Sequence, residues 1–142
     1  MALKEFAAKD SRAMEEAIIK GNVAAFDETH APNVVTHNPP FPESKGSEAF
    51  KQFINEMRQA FTDIRVDWDE TITEGNTIAR RFTMRMKHTG TYPAIPVPPT
   101  GKEVVIKGSA FLHVKDGKIV EVFEYVDWLG MMQQLGVVTP SG

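Results

Sequence analysis

The spacing of apolar residues changes near residue 64 of the chain. Before that point they recur every three or four positions, as in amphipathic helices, and after it they alternate with polar residues, as in half-buried strands. The first helix is predicted to end at Gly21-Asn22, and a short second helix to run from Val23 to about Thr29. Ser47 is a candidate cap for a third helix that carries one apolar stripe. The residues of this stripe are Phe50, Phe53, Ile54, Met57 and Phe61.

Four strands are predicted in the second half of the chain, after one short strand-like run that Pro39-Pro40 interrupts. In the second of these strands, Phe82, Met84, Met86 and His88 share one face. Helices followed by antiparallel strands predict a single α+β domain, residues 1–142, with the helices on one side of a strongly bent sheet. The four strands begin near Ile64, Thr77, Val104 and Lys118.

The dipeptide Asp116-Gly117 predicts a two-residue hairpin between the last two strands. Counting outward from this turn brings the small residues Gly108 and Ala110 opposite large aromatic residues. The space above small residues indicates that the cone formed by the bent sheet holds a small hydrophobic molecule. The expected pairs are Ile106 with Asp127, Gly108 with Tyr125, Ala110 with Phe123, Leu112 with Glu121, and His113 with Val120.

Composition narrows the classes of partner and cofactor. The 142 residues include no cysteine, which excludes disulfides, thiolate nucleophiles and cysteine metal sites. The net charge is -3 with acids and bases interspersed, and no basic stripe offers the phosphate contacts that nucleic-acid binding needs. No apolar run approaches the roughly 18 residues of a membrane span, so a cytoplasmic location is expected. The four histidines lie on separate predicted elements, without the spacing of a metal site.

One carboxylate, Asp127, follows the apolar and aromatic residues of the last strand. A carboxylic acid in apolar surroundings holds its proton more strongly than in water, which suits a general acid or base near neutral pH. Aspartate is also a favoured helix cap, and Asp127 directly precedes a turn or helix that starts at Trp128. The sequence is consistent with both roles, proton carrier and helix cap.

Several short motifs follow one another along the chain: Val35-Thr36-His37-Asn38-Pro39-Pro40, Gly46-Ser47-Glu48-Ala49-Phe50-Lys51, Asp116-Gly117-Lys118-Ile119 and Asp127-Trp128-Leu129-Gly130. This ordered set resembles the SnoaL-like polyketide cyclase family of the nuclear transport factor two-like superfamily. The resemblance covers about residues 12 to 138. It implies a cone-shaped α+β barrel of the cystatin-like type, a curved mixed sheet around N-terminal helices, usually in a homodimer. It also implies a deep apolar pocket in which the aspartate at position 127 acts as acid and base without metal or organic cofactor.

Other candidates carry structural alternatives of their own. His88 and His37 are candidate catalytic residues beside Asp127, but a histidine among apolar residues is more often structural, and polar residues before a diproline commonly bond the loop backbone. Arg81 falls on the strand face opposite His88, where it could pair with an acid instead. Large aromatic residues in strands are most often plain core. The candidate ligand-binding residues are Asn38, Trp68, Arg81, Phe82, Met84, Phe123 and Tyr125.

Three functions are consistent with these residues. The first is a cyclase or isomerase that acts on a small hydrophobic carbonyl compound by acid/base chemistry, with an aldol-type cyclisation as the example. The second is a module that binds a small hydrophobic ligand without converting it. The third is water addition as in the epoxide hydrolases of the same superfamily, which would need a carboxylate pair with an arginine.

Overall fold

The computed structural model describes residues 1–93 and 95–138. The helices are α1 (Leu3–Lys20), α2 (Ser47–Ala60) and α3 (Trp128–Gln134), and a 3-10 helix, Val23–Glu28, follows α1. The strands are β1 (His30–His37), β2 (Ser44–Lys45), β3 (Phe61–Glu74), β4 (Thr77–His88), β5 (Glu103–Lys115) and β6 (Lys118–Val126). The predicted α+β class is confirmed.

The strands form one mixed sheet in the order β2-β1-β6-β5-β4-β3. Neighbouring strands are antiparallel except β1 and β6, which run parallel. The sheet is curved but unclosed, because its edge strands β2 and β3 do not pair with each other within the described ranges. The predicted curved sheet around N-terminal helices is therefore confirmed, as an open cone.

Helix α1 ends where the sequence predicts. Gly21 has a φ of 80°, a left-handed conformation that favours glycine, and its N–H bonds to the carbonyl of Glu16. Arg58 of α2 donates hydrogen bonds of 2.8 and 2.7 Å to the carbonyls of Ile18 and Ile19. These bonds satisfy carbonyls that the last turn of α1 leaves open, and they hold the two helices together.

The apolar stripe of α2 packs into the core as predicted, but both ends of the helix differ from the prediction. Phe50, Ile54 and Met57 are buried. Ser47 does not cap the helix, because it is already its first residue and makes no capping hydrogen bond; Gly46, with a φ of 94°, stands before it. Phe61 has left the helix and begins β3 in an extended conformation.

The hairpin between β5 and β6 begins in the predicted register and then departs from it. Val114 pairs with Ile119, but the next pair is His113 with Glu121, so Val120 is an extra residue that forms a β-bulge. The pairs predicted beyond this point are wrong by one residue, because the prediction counted outward from the turn without a bulge. The observed pairs are Leu112–Val122, Phe111–Phe123, Ala110–Glu124, Ser109–Tyr125 and Gly108–Val126.

Compared with the predicted register, the bulge exchanges the residues of β6 that face inward with those that face outward. Val122, Glu124 and Val126 turn towards the helices and line the interior. Phe123 and Tyr125 lie on the outer face, where Tyr125 is 52% exposed. A shift by one residue has this effect because successive side chains of a strand point to opposite faces. The carboxylate of β6 that reaches the interior is therefore Glu124.

Candidate active site

A narrow cavity lies between the helices and the inner face of the sheet. Its walls are mainly apolar and come chiefly from α1, α2 and the strands β3 to β6, with further residues from the 3-10 helix, β1 and α3. About 70 Å³ is open to the centre of a water molecule, which is little compared with the roughly 300–1,000 Å³ of pockets for drug-sized ligands. Apart from two tryptophans, the polar residues that line this cavity are His30, Thr36, Arg80 and Glu124.

Three aromatic side chains pack together at a partly exposed side of the cavity. Phe53 and Trp128 line it, and Phe41 contacts both rings at centroid distances of 6.0 and 5.4 Å. The indole N–H of Trp128 donates to Oδ1 of the buried Asn38 at 3.2 Å. Asn38 therefore fixes a cavity wall, and the loop after β1 meets the start of α3 beside the cavity.

Arg80 and Glu124 stand in one row across the sheet. Arg80 of β4 pairs with Ala110 of β5, and Ala110 pairs with Glu124 of β6. The two ionisable side chains thus rise from strands about 10 Å apart, twice the usual strand spacing, with only a methyl group between them. The small residue at 110 leaves space for a ligand that touches both.

Burial raises the pKa of Glu124 from 4.5 to about 7, and the positive charge of Arg80 opposes part of this rise. The residue as a whole is partly buried, and its side chain lines the cavity. The described residues donate no hydrogen bond to the carboxylate, so both of its oxygens are available to a ligand. A carboxylate with a pKa near 7 can accept and return a proton at neutral pH.

Arg80 is held from three sides. Its Nη2 donates to Oδ2 of Asp10 at 2.6 Å, and its Nη1 donates to Oγ of Ser11 at 3.1 Å. The guanidinium also lies over the ring of Trp68, with 4.3 Å between Cζ and the ring centroid. The indole N–H of Trp68 in turn donates to Glu15 at 3.0 Å. These contacts fix the position of a buried cation.

Asp10 and His30 lie behind Arg80 and complete a polar cluster that consists of Asp10, His30, Arg80 and Glu124. Asp10 is fully buried and accepts hydrogen bonds from Thr29 on one oxygen and from Arg80 on the other. The ring of His30 stacks on Phe26, and its Nδ1 donates to the carbonyl of Phe26 at 3.2 Å. Burial lowers the pKa of His30 to about 4 despite the nearby Asp10 carboxylate, so His30 is neutral at physiological pH.

Asp127 lies outside the cavity. Its side chain is exposed and caps α3, where Oδ1 accepts a hydrogen bond from the backbone N–H of Gly130 at 2.8 Å. It borders an open groove on the outer face of the sheet, together with Tyr125 and Arg81. Asp127 therefore caps α3, one of the two roles that the sequence allowed. A catalytic role for Asp127 stays a prediction.

His88 is fully buried and does not line the cavity. Its Nδ1 accepts a hydrogen bond from the backbone N–H of Thr100 at 3.1 Å, so its proton resides on Nε2. Burial lowers the pKa of this imidazole. The backbone carbonyl of His88 also accepts from Gly101 at 2.8 Å. The placement favours the structural alternative, in which His88 anchors the loop before β5.

The remaining predicted residues divide between the two faces of the sheet. His37 bonds to Glu121 at 2.9 Å and stacks on Phe123 outside the cavity. Arg81 is exposed and donates to Glu70 at 3.0 Å, the outer-face pairing that strand alternation allowed. The candidate residues Asp127, Tyr125 and His88 do not open on one cavity, because the bulge turns Tyr125 outward and His88 lies beyond the cavity. The predicted residues that do line the cavity are Trp68, Phe82 and Met84.

None of Asp10, His30, Arg80 and Glu124 was assigned to the site from the sequence. Arg80 lies two residues before Phe82 and so on the same strand face, and Asp10 lies on the buried stripe of α1. The spacing of apolar residues could therefore have predicted that both are buried. Glu124 was hidden, because only the bulge at Val120 brings it inside.

Among the residues that the structure describes, no group of three histidine, aspartate or glutamate side chains is placed to hold a metal ion. In the same ranges no helix combines the length and apolar character needed to cross a membrane. The carboxylate of Glu124 and the fixed guanidinium of Arg80 line the same cavity, and a carboxylate there can take part in proton transfer.

Comparison with known proteins supports a common ancestry over nearly the whole chain. The sequence model of the family described as SnoaL-like polyketide cyclase matches residues 9–135. The aklanonic acid methyl ester cyclase DnrD of Streptomyces peucetius is 26% identical over 111 residues, which cover 78% of this chain and 73% of DnrD. DauD of Streptomyces sp. strain C5, with the same description, is 27% identical over 114 residues, which cover 78% of this chain and 66% of DauD. The structure of TsrD from Streptomyces laurentii superposes with a TM-score of 0.84 at 19% identity, covering 94% of this chain and 97% of TsrD, and so shares the fold.

Proposed function

Because the chain belongs to the SnoaL-like polyketide cyclase family, we propose that it is an acid/base enzyme acting on a small hydrophobic carbonyl compound. The proposed reaction is an aldol-type cyclisation or a related isomerisation. The observation that carries this proposal is the carboxylate of Glu124 in the lining of an apolar cavity, with a pKa raised to about 7. Side chains alone supply the proton transfers, so the proposed reaction uses neither a metal nor an organic cofactor.

In the proposed cyclisation, Glu124 acts first as base and then as acid. Its carboxylate removes a proton from the carbon next to a carbonyl group, and the electrons of the broken C–H bond form an enolate. The enolate carbon attacks a second carbonyl of the same molecule, which makes a C–C bond and an alkoxide. The protonated Glu124 then returns its proton to the alkoxide oxygen. The cavity walls hold the two carbonyls close together, which lowers the entropic barrier to ring closure.

The relatives support a substrate with several carbonyl groups. Both DnrD and DauD are cyclases of aklanonic acid methyl ester, and we propose a polyketide or a similar polycarbonyl compound for this chain. Such a molecule exceeds the open volume of about 70 Å³. Entry would therefore require movement of the aromatic side chains Phe41, Phe53 and Trp128, which keep part of their surface exposed.

The geometry favours one-carboxylate chemistry over water addition by a carboxylate pair. Arg80 does stand between two acids, Asp10 and Glu124, but Asp10 is fully buried and both of its oxygens accept hydrogen bonds from protein side chains. Asp10 does not line the cavity, so it is not placed to hold an attacking water there. Among the described residues that line the cavity, Glu124 is the one acid.

The test compares Glu124→Gln with Asp127→Asn. Each variant removes one carboxylate with little change in shape, and asparagine remains a good helix cap at position 127. A panel of small hydrophobic ketones and diketones in D₂O is followed by NMR for deuterium uptake next to the carbonyl and for ring closure. We expect Glu124→Gln to lower these rates about 10²- to 10⁴-fold and Asp127→Asn to leave them nearly unchanged. Loss in Asp127→Asn alone would contradict the assignment to Glu124, and binding without conversion in every variant would favour a ligand-binding module.

A further inference from the structure

One N–H group of Arg80 has no partner within residues 1–93 and 95–138. The side chain of Arg80 is only 4% exposed and lines the cavity, and its two terminal nitrogens bond to Asp10 and Ser11. Its Nε is buried and has no hydrogen-bond partner among the described residues. Folded proteins rarely leave such a donor unpaired, because its lost hydration is not replaced. The Arg80 side chain lines the cavity, so a ligand that enters and widens the cavity can supply the acceptor that this closed-off donor lacks.

The surroundings of Arg80 prevent this donor from finding a partner by rotation. Asp10 and Ser11 hold the far edge of the guanidinium, and the ring of Trp68 covers one of its faces. Trp68 is itself fixed through its hydrogen bond to Glu15. The donor is thus preorganised, because the folded protein already holds it in one orientation before a ligand binds.

The charges of the cavity suit a ligand that becomes anionic only during the reaction. Asp10 pairs with Arg80 and offsets its charge, and His30 is neutral because burial lowers its pKa to about 4. When Glu124 takes a proton from the ligand, the negative charge moves from the carboxylate to a ligand oxygen. A fixed N–H next to that oxygen stabilises the anion more than the neutral ligand, which is the condition for faster reaction.

We propose that Nε of Arg80 donates a hydrogen bond to the ligand oxygen that carries the enolate charge. Arg80 is then a second catalytic residue, and the ligand is a carbonyl compound whose oxygen lies on the Arg80 side of Ala110 while its acidic carbon faces Glu124. This inference rests on the proposed function, since the enolate arises from proton transfer to Glu124.

Phenols provide the probe, because a phenolate resembles an enolate in charge and shape. The Glu124→Gln variant mimics the state in which Glu124 has already taken the proton. We expect this variant to bind 4-nitrophenol as the phenolate at a pH below the free phenol's pKa, which the absorbance of the bound phenol reports. In the Glu124→Gln background, Arg80→Lys should weaken phenolate binding at least 10-fold. Arg81→Lys, a change at the neighbouring exposed arginine, is the matched control and should have no effect.

A second measurement keeps Arg80 intact, in case the lysine variant does not fold. The Glu124→Gln protein labelled with ¹⁵N-arginine should show one Nε–H signal that is protected from solvent exchange and moves downfield when 4-nitrophenol is added. The Nε–H signal of Arg81 should not move.

Bound phenol that stays neutral, or that leaves every arginine Nε–H signal unmoved, would overturn the role of Arg80. In that case deuterium uptake that depends on Glu124 would still stand as evidence for the proposed function. If no phenol binds, both the role of Arg80 and the proposed ligand class are overturned.

Discussion

Replacing Glu124 by glutamine should stabilise the protein at alkaline pH and have little effect in acid. Burial raises the pKa of Glu124 from 4.5 in the unfolded chain to about 7 in the folded protein. Between these two values the folded state binds a proton that the unfolded state has released, so stability falls as the pH rises. The two pKa values differ by about 2.5, which at about 1.4 kcal/mol per pKa unit corresponds to about 3 kcal/mol above pH 7. Glutamine carries no charge and avoids this cost.

The assay is urea unfolding of wild type and Glu124→Gln at a series of pH values from 4 to 8.5. The difference between the two free energies of unfolding cancels the titration of all other groups. It should be small below about pH 4.5, grow through the range up to pH 7, and level off at about 3 kcal/mol in favour of the variant. A difference that does not change with pH, or that favours wild type at pH 8, would refute the placement of Glu124 in an apolar cavity.

Three further predictions concern other parts of the molecule. Asp10→Asn should lower the free energy of unfolding by about 3–5 kcal/mol, because it leaves the buried Arg80 charge without its partner. The control Glu70→Gln, at an exposed ion pair, should lower it by less than about 1 kcal/mol. Equal losses in the two variants would contradict this prediction. Ala110→Leu should retain the native circular dichroism spectrum but abolish the quenching of tryptophan fluorescence by ligands. The reason is that leucine fills the space between Arg80 and Glu124. Unchanged quenching would count against this cavity as the binding site. We propose that the expected homodimer forms through the outer face of the sheet, where Phe111 is 45% exposed. Light scattering should find a dimer in wild type and a monomer in Phe111→Ser. A monomeric wild type would refute this proposal.

The helices and the inner face of β4 could be predicted from the sequence because local chemistry determines them. The apolar stripe of α2 has helical spacing, and Gly21 adopts the left-handed conformation that ends α1. Strand alternation correctly separated Phe82 from Arg81. The same alternation places Arg80 inside, so this part of the site was predictable from residue parity alone.

The acid of the site was not predictable in the same way. A β-bulge adds one residue to a strand, and Val120, the extra residue here, is a common strand residue with nothing to distinguish it from its neighbours. The bulge reverses every side chain after it, which moves Tyr125 outward and Glu124 inward. Asp127 then serves as the cap of α3, as its residue type and position also allowed.

Titration of the Glu124 carboxyl group is the most direct measurement of the central claim, that this acid carries the proton in the cavity. Carbon NMR of protein labelled with ¹³C at the glutamate carboxyl positions follows each side chain against pH, and the signal of Glu124 is the one absent from Glu124→Gln. We predict that this signal titrates near pH 7 and does so equally in Asp127→Asn. A midpoint near 4.5, that of an ordinary solvated glutamate, would contradict the account.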